Sequence, residues 1–159
     1  MNTDFIKGVV VPILTPIDED ERIDEDRFRR QIDYIIDGGL EGILVFGSNG
    51  EFYQVEEDEM EQGLAIALDQ AASRVPVYFG VGAINTRKCI RLARMAAEKG
   101  AAAVSILQPM FLKPTEEELF RHFKAVADAI PETPVLIYNN PGRVGYGLTA
   151  AFVSRLAHE

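Results

Sequence analysis

A chain of 159 residues, 47% of them hydrophobic, is long enough to bury the core of one domain and too apolar to be disordered. Its net charge of −9 argues against a nucleic-acid partner, because a phosphate backbone calls for clustered Lys and Arg. One cysteine, Cys89, leaves no intramolecular disulfide framework. No run approaches membrane-span length and MNTDFIKG lacks a signal-peptide core, so a soluble, cytoplasmic protein is expected.

Along the chain, short apolar runs alternate with longer amphipathic ones. GVVVPIL (8–14) reads as a buried strand. An acidic turn follows, then a helix with Phe28, Ile32, Ile35 and Ile36 on its apolar side, Asp24 as N-cap and the glycines at 38–39 as its stop. GILVFG (42–47) is a second strand. The next helix covers about 56–73, and Glu56, Glu57, Asp58 and Glu59 suit the positive end of its dipole. VPVYFGVG (75–82) is the third strand, and its helix starts near Asn85 and holds Cys89 on an apolar face. AAVSILQ (102–108) is the fourth strand, and Thr115 with Glu118 makes a capping box for the helix after it. PVLIYNN (134–140) is the fifth strand, and Thr149 caps a last helix from Ala150.

Five βα units with no linker between them predict one α/β domain over residues 1–159. Apolar strands without polar alternation predict a parallel sheet covered on both faces. Two architectures remain open at this point: a doubly wound open sheet, or part of a (β/α)8 barrel. In both, ligands bind at the carboxyl ends of the strands.

Those ends carry two informative loops. GSNGEF (47–52) sets two glycines around Ser48 and Asn49, so backbone N–H groups can turn outward towards an anion. No Lys-Ser/Thr pair follows, so it is no Walker loop. GVGAIN (80–85) lacks the third glycine of a dinucleotide turn and carries no assignment. YNNPGRVGYG (138–147) ends a strand on Tyr138 and places Arg143 in a loop of glycines and proline, where its fork suits a carboxylate. His122 and His158 lie in helical stretches without an evident partner. No His/Asp/Glu spacing suggests a metal, no Ser-His-Asp arrangement is visible, and no cofactor is expected.

GSNGE and YNNPGRVG, with the opening GVVVPILTP and PMFLKP after the fourth strand, resemble the dihydrodipicolinate synthase / N-acetylneuraminate lyase family. The resemblance runs from the first strand to the chain's end. It implies a TIM barrel, (β/α)8, of which the first five βα units are present. It also implies homo-oligomers and class I aldolase chemistry, in which a lysine forms a Schiff base with pyruvate or another 2-keto acid and the enamine reacts with an aldehyde. By resemblance, Ser48 and Asn49 hold the keto acid's carboxylate and Ser48 joins a proton relay. Tyr138 carries a proton to the carbinolamine oxygen, Arg143 binds the second substrate's carboxylate, and Glu51 is structural.

Two departures qualify it. Met110 and Phe111 occupy the places of two family tyrosines, one of which completes the relay across a subunit interface. This points away from lysine biosynthesis and towards a related aldolase, with sugar acids as substrates. The Schiff-base lysine belongs at the end of a sixth strand, beyond Glu159. Since such barrels take about 250 residues, a fragment that is inactive alone is expected. A non-catalytic α/β module, or a half-barrel pairing with another chain, is the rival reading.

Overall fold

Five parallel strands build one sheet in the computed structural model, which describes residues 3–159. They are β1 (Val10–Pro12), β2 (Gly42–Val45), β3 (Val77–Val81), β4 (Ala103–Leu107) and β5 (Val135–Tyr138). Their spatial order is β1-β2-β3-β4-β5, each strand beside the next in sequence. A doubly wound sheet reverses its strand order about a switch point. This one never does, so the open-sheet alternative is excluded and the sheet is a half-barrel.

The register assigns the two faces. Pro12 lies beside Leu44 and Leu44 beside Tyr78; Gly80 lies beside Ser105, Ser105 beside Leu136, and Leu107 beside Tyr138. Side chains alternate along a strand, so these residues share the inner face. Ile43, Val45, Phe79, Val104 and Ile106 point the other way and are fully buried in a core shared with Phe28, Leu64, Leu92 and Phe123 of the helices. β1 and β5 are the sheet's two edges.

Local chemistry starts most of the helices where the caps predict. In α1 (Glu25–Asp37) the Asp24 carboxylate accepts from the N–H of Arg27 at 2.9 Å. In α3 (Thr86–Lys99) Asn85 accepts from Lys88 N at 2.8 Å, and in α4 (Glu116–Asp128) both halves of the Thr115–Glu118 box are made. Thr149 caps α6 (Ala150–His158) by accepting from Phe152 N. α2 (Glu57–Ala71) ends two residues before the expected 73, where Ala72 turns left-handed at φ 47°. The four-residue helix α5 (Pro141–Val144) was not expected inside the YNNPGRVG loop. It follows from proline at its start and Gly145 at φ 84° at its stop.

Charged side chains knit α2 to α3. Glu57 accepts from Arg91 at 2.6 and 2.8 Å and pairs with Lys88 at 3.3 Å; the Arg91 hydrogen bonds, opposed by desolvation and aided by Lys88, hold its carboxyl down to about 2. Lys99 pairs with Glu61 at 2.8 Å. Cys89 is core filler: its buried thiol donates to the carbonyl of Ala83 at 3.2 Å, and burial pushes it up to about 11.

The histidines differ from the sequence reading, because both have partners. His122 Nδ1 shares a 2.9 Å hydrogen bond with Thr86 Oγ1, and burial lowers its pKa; His158 Nδ1 lies 2.6 Å from the carbonyl of Ser154. No helix among the described residues is long and apolar enough to cross a membrane.

Candidate active site

The site grows from the loop that leaves β2. Phe46 stands at φ 54° and Glu51 at φ 50°, left-handed conformations that cost about 1–3 kcal/mol each at non-glycine residues. Burial holds the first in place: the Phe46 ring is 1% exposed and meets Phe79 edge-on at 5.6 Å between centroids. The loop then crosses directly above β3. A β-carbon on Gly80 would stand 2.3 Å from the carbonyl oxygen of Phe46, so only glycine admits this path. Thr15, on the segment after β1, donates to the carbonyl of Gly50 at 2.7 Å and pins the far side of the turn.

Within this frame Ser48 is half-buried and Asn49 exposed. Among the described residues no backbone acceptor takes the N–H of either. Two donors therefore stand open at a rigid turn, the arrangement that suits an anion such as a carboxylate. Ser48 Oγ donates to the phenol oxygen of Tyr138 at 3.4 Å, although ninety positions separate the two in sequence. The pair borders a narrow crevice on the inner face, walled by Leu44, Gly80, Ser105 and Leu107. A hydroxyl beside a phenol, next to open N–H donors, can hold an acid group and pass a proton to an adjacent oxygen.

A second set of polar residues supports Tyr138, and the sequence reading had passed over it. Asn140 Nδ2 donates to the phenol oxygen at 2.7 Å. The Asn140 N–H donates in turn to Oε1 of Gln108, whose Nε2 donates to the carbonyl of Tyr146 at 3.0 Å. Tyr146 closes the set by donating its hydroxyl to the carbonyl of Pro109 at 2.8 Å. The signal for Gln108 was an amide at the end of a largely apolar strand, a group that must find partners once buried. Ser105 is a further polar side chain on the inner face.

Arg143 is exposed on α5, with its guanidinium in no ion pair among the described residues. Ser48 and Tyr138 are thus brought together, Asn49 sits in the same turn, and Arg143 makes no hydrogen bond to any of them. Met110 is half-buried; Phe111 is 86% exposed at φ 73°, followed by Leu112 at 83%. Lys88, Lys99 and Lys124 are held in surface ion pairs, and Lys7 and Lys113 are exposed. No group of three or more His, Cys, Asp or Glu among the described residues is arranged to hold a metal.

The profile of the dihydrodipicolinate synthetase family matches residues 5–159. The 4-hydroxy-tetrahydrodipicolinate synthase of Pelobacter propionicus is 40% identical over 153 residues, covering 96% of this chain and 52% of that protein. The Thermus thermophilus enzyme of the same name is 37% identical over 155 residues, again 52% of its length. Among solved structures, YagE, an Escherichia coli K12 prophage protein of the dihydrodipicolinic acid synthase family in complex with pyruvate, superposes with a TM-score of 0.90. It is 34% identical, with 94% of this chain and 50% of that one covered. The dihydrodipicolinate synthase of Acinetobacter baumannii complexed with pyruvate gives 0.92 at 35% identity, covering 96% and 52%. The chain spans about half the length of the curated relatives it matches.

Proposed function

Because the chain belongs to the dihydrodipicolinate synthetase family, we propose that it carries the acid-binding and proton-relay half of a Schiff-base aldolase site. The substrates are pyruvate or a related 2-keto acid and an aldehyde, and the imine-forming lysine lies outside these 159 residues. The observation that carries this reading is the hydrogen-bonded Ser48–Tyr138 pair beside open N–H donors. The pyruvate complexes of YagE and of the Acinetobacter enzyme support the substrate class.

In this reading the N–H groups of Ser48 and Asn49 receive the keto acid's carboxylate. The Tyr138 phenol gives a proton to the carbonyl oxygen as it becomes a carbinolamine hydroxyl, and Ser48 relays its replacement. The protein works in the cytoplasm, as one buried, unpaired cysteine suits. A homo-oligomer is proposed on the family likeness. Met110 and Phe111 supply no hydroxyl, which favours a related 2-keto-acid aldolase acting on sugar acids over the lysine-biosynthetic reaction.

Arg143 reads as the fork for a second carboxylate. Replacing it with alanine should weaken a dicarboxylic 2-keto acid by roughly three- to tenfold, a modest loss because the group is exposed. Pyruvate affinity should hardly change. Calorimetric titration of both ligands checks this; equal losses for the two would assign Arg143 to loop structure.

A further inference from the structure

We propose that Asn140, seated by Gln108, is a positioning residue that directs the Tyr138 phenol's own proton into the crevice. For the ligand that receives the proton, this rests on the function proposed above. A phenol oxygen has one proton to give and two lone pairs with which to accept. The Asn140 Nδ2 lies 2.7 Å away, at the short limit for an N–H···O bond, and an amide nitrogen can only donate. Ser48 Oγ lies 3.4 Å from the same oxygen, and its hydroxyl can either donate or accept. The phenol cannot donate to that amide nitrogen, so its O–H points away from Asn140, towards Ser48 and the crevice that Ser48 and Tyr138 border.

The seat beneath Asn140 admits one orientation. Gln108 is 1% exposed, and its two amide ends face a fixed donor, the N–H of Asn140, and a fixed acceptor, the carbonyl of Tyr146. Rotating that amide by half a turn would set donor against donor and acceptor against acceptor. Gln108 therefore locks the backbone at residue 140, and the two-residue spacing to Tyr138 brings the Asn140 side chain back onto the phenol. Neither residue needs to touch the ligand.

The test uses the 159-residue chain labelled with 13C at the tyrosine Cζ positions, with the Tyr138 signal assigned by its loss in Tyr138→Phe. Asn140→Ala removes the donor. Asn140→Asp keeps the shape but offers only acceptors, so the phenol must donate to it and its proton is withdrawn from the crevice. The Tyr138 resonance is expected to move in both variants, in opposite directions, while the other four tyrosines stay in place. Pyruvate affinity should fall about fivefold or more in Asn140→Asp and by less in Asn140→Ala. An unmoved Tyr138 resonance in both variants overturns the proposal. If the resonance moves as expected but the unaltered chain ignores pyruvate, the positioning role stands and the 2-keto-acid reading falls.

Discussion

Gly80→Ala is expected to destabilise the protein by about 3 kcal/mol or more and to erase the Ser48–Tyr138 contact. The added β-carbon would stand 2.3 Å from the Phe46 oxygen, 2.7 Å from its carbonyl carbon and 3.0 Å from the nitrogen of Gly47. All three are backbone atoms, so no side-chain rotation relieves the clash, and overpacking in well-packed surroundings already costs about 1–3 kcal/mol. Relief requires lifting the loop. Lifting it withdraws the Phe46 ring from Phe79, against which it is buried, and frees the left-handed strain at residue 46. Gly147→Ala is the control, because its β-carbon would meet only the side chain of Pro141 at 3.7 Å, an ordinary contact. Urea unfolding of the two variants checks the energy, and the Tyr138 signal checks the site. Equal midpoints for both would show that the β2 loop does not depend on Gly80.

Treating the isolated chain with pyruvate and borohydride should leave no specific adduct in its intact mass. An imine-forming lysine must be partly unprotonated near neutral pH, which takes burial or a neighbouring cation to lower it from about 10.4. None of the five lysines here is buried. Lys88 and Lys99 are paired with Glu57 and Glu61, and Lys124 with Asp128, on the outer helices. Lys7 lies before β1, at the other end of the sheet from Ser48, and Lys113 is exposed just before Pro114. A stoichiometric adduct mapping to Lys113 would mean that the chain holds its own nucleophile.

What the sequence made legible was local. Asp24, Thr115 and Thr149 each cap the helix they were expected to cap, and α3 starts beside Asn85 as expected, because a cap bond spans only two or three residues. Buried apolar runs gave the strands and their parallel pairing. Strand order was open on periodicity alone, since a strand covered on both faces reads the same in a barrel and in an open sheet. The motifs at Ser48 and Tyr138, and not the hydrophobic pattern, carried that choice. Contacts between distant residues stayed hidden: Thr86 with His122, Gln108 with Asn140, Phe46 over Gly80. GVGAIN was set aside as a weak nucleotide turn, and its first glycine is what admits the β2 loop. α5 escaped notice because four residues are too few to show a helical period.

The half-site's ligand can be read most directly from the backbone amides of the turn. In a 1H–15N titration of the chain with pyruvate, the signals of Ser48, Asn49 and Gly50 should shift saturably, Tyr138 should follow, and Ser48→Ala should weaken the response. Formate or chloride should produce smaller shifts at the same amides, since they lack the carbonyl oxygen that Tyr138 would meet. Saturable shifts centred on another surface, or none at residues 48–50 at any attainable pyruvate concentration, would contradict the assignment of this turn as the seat of a 2-keto acid.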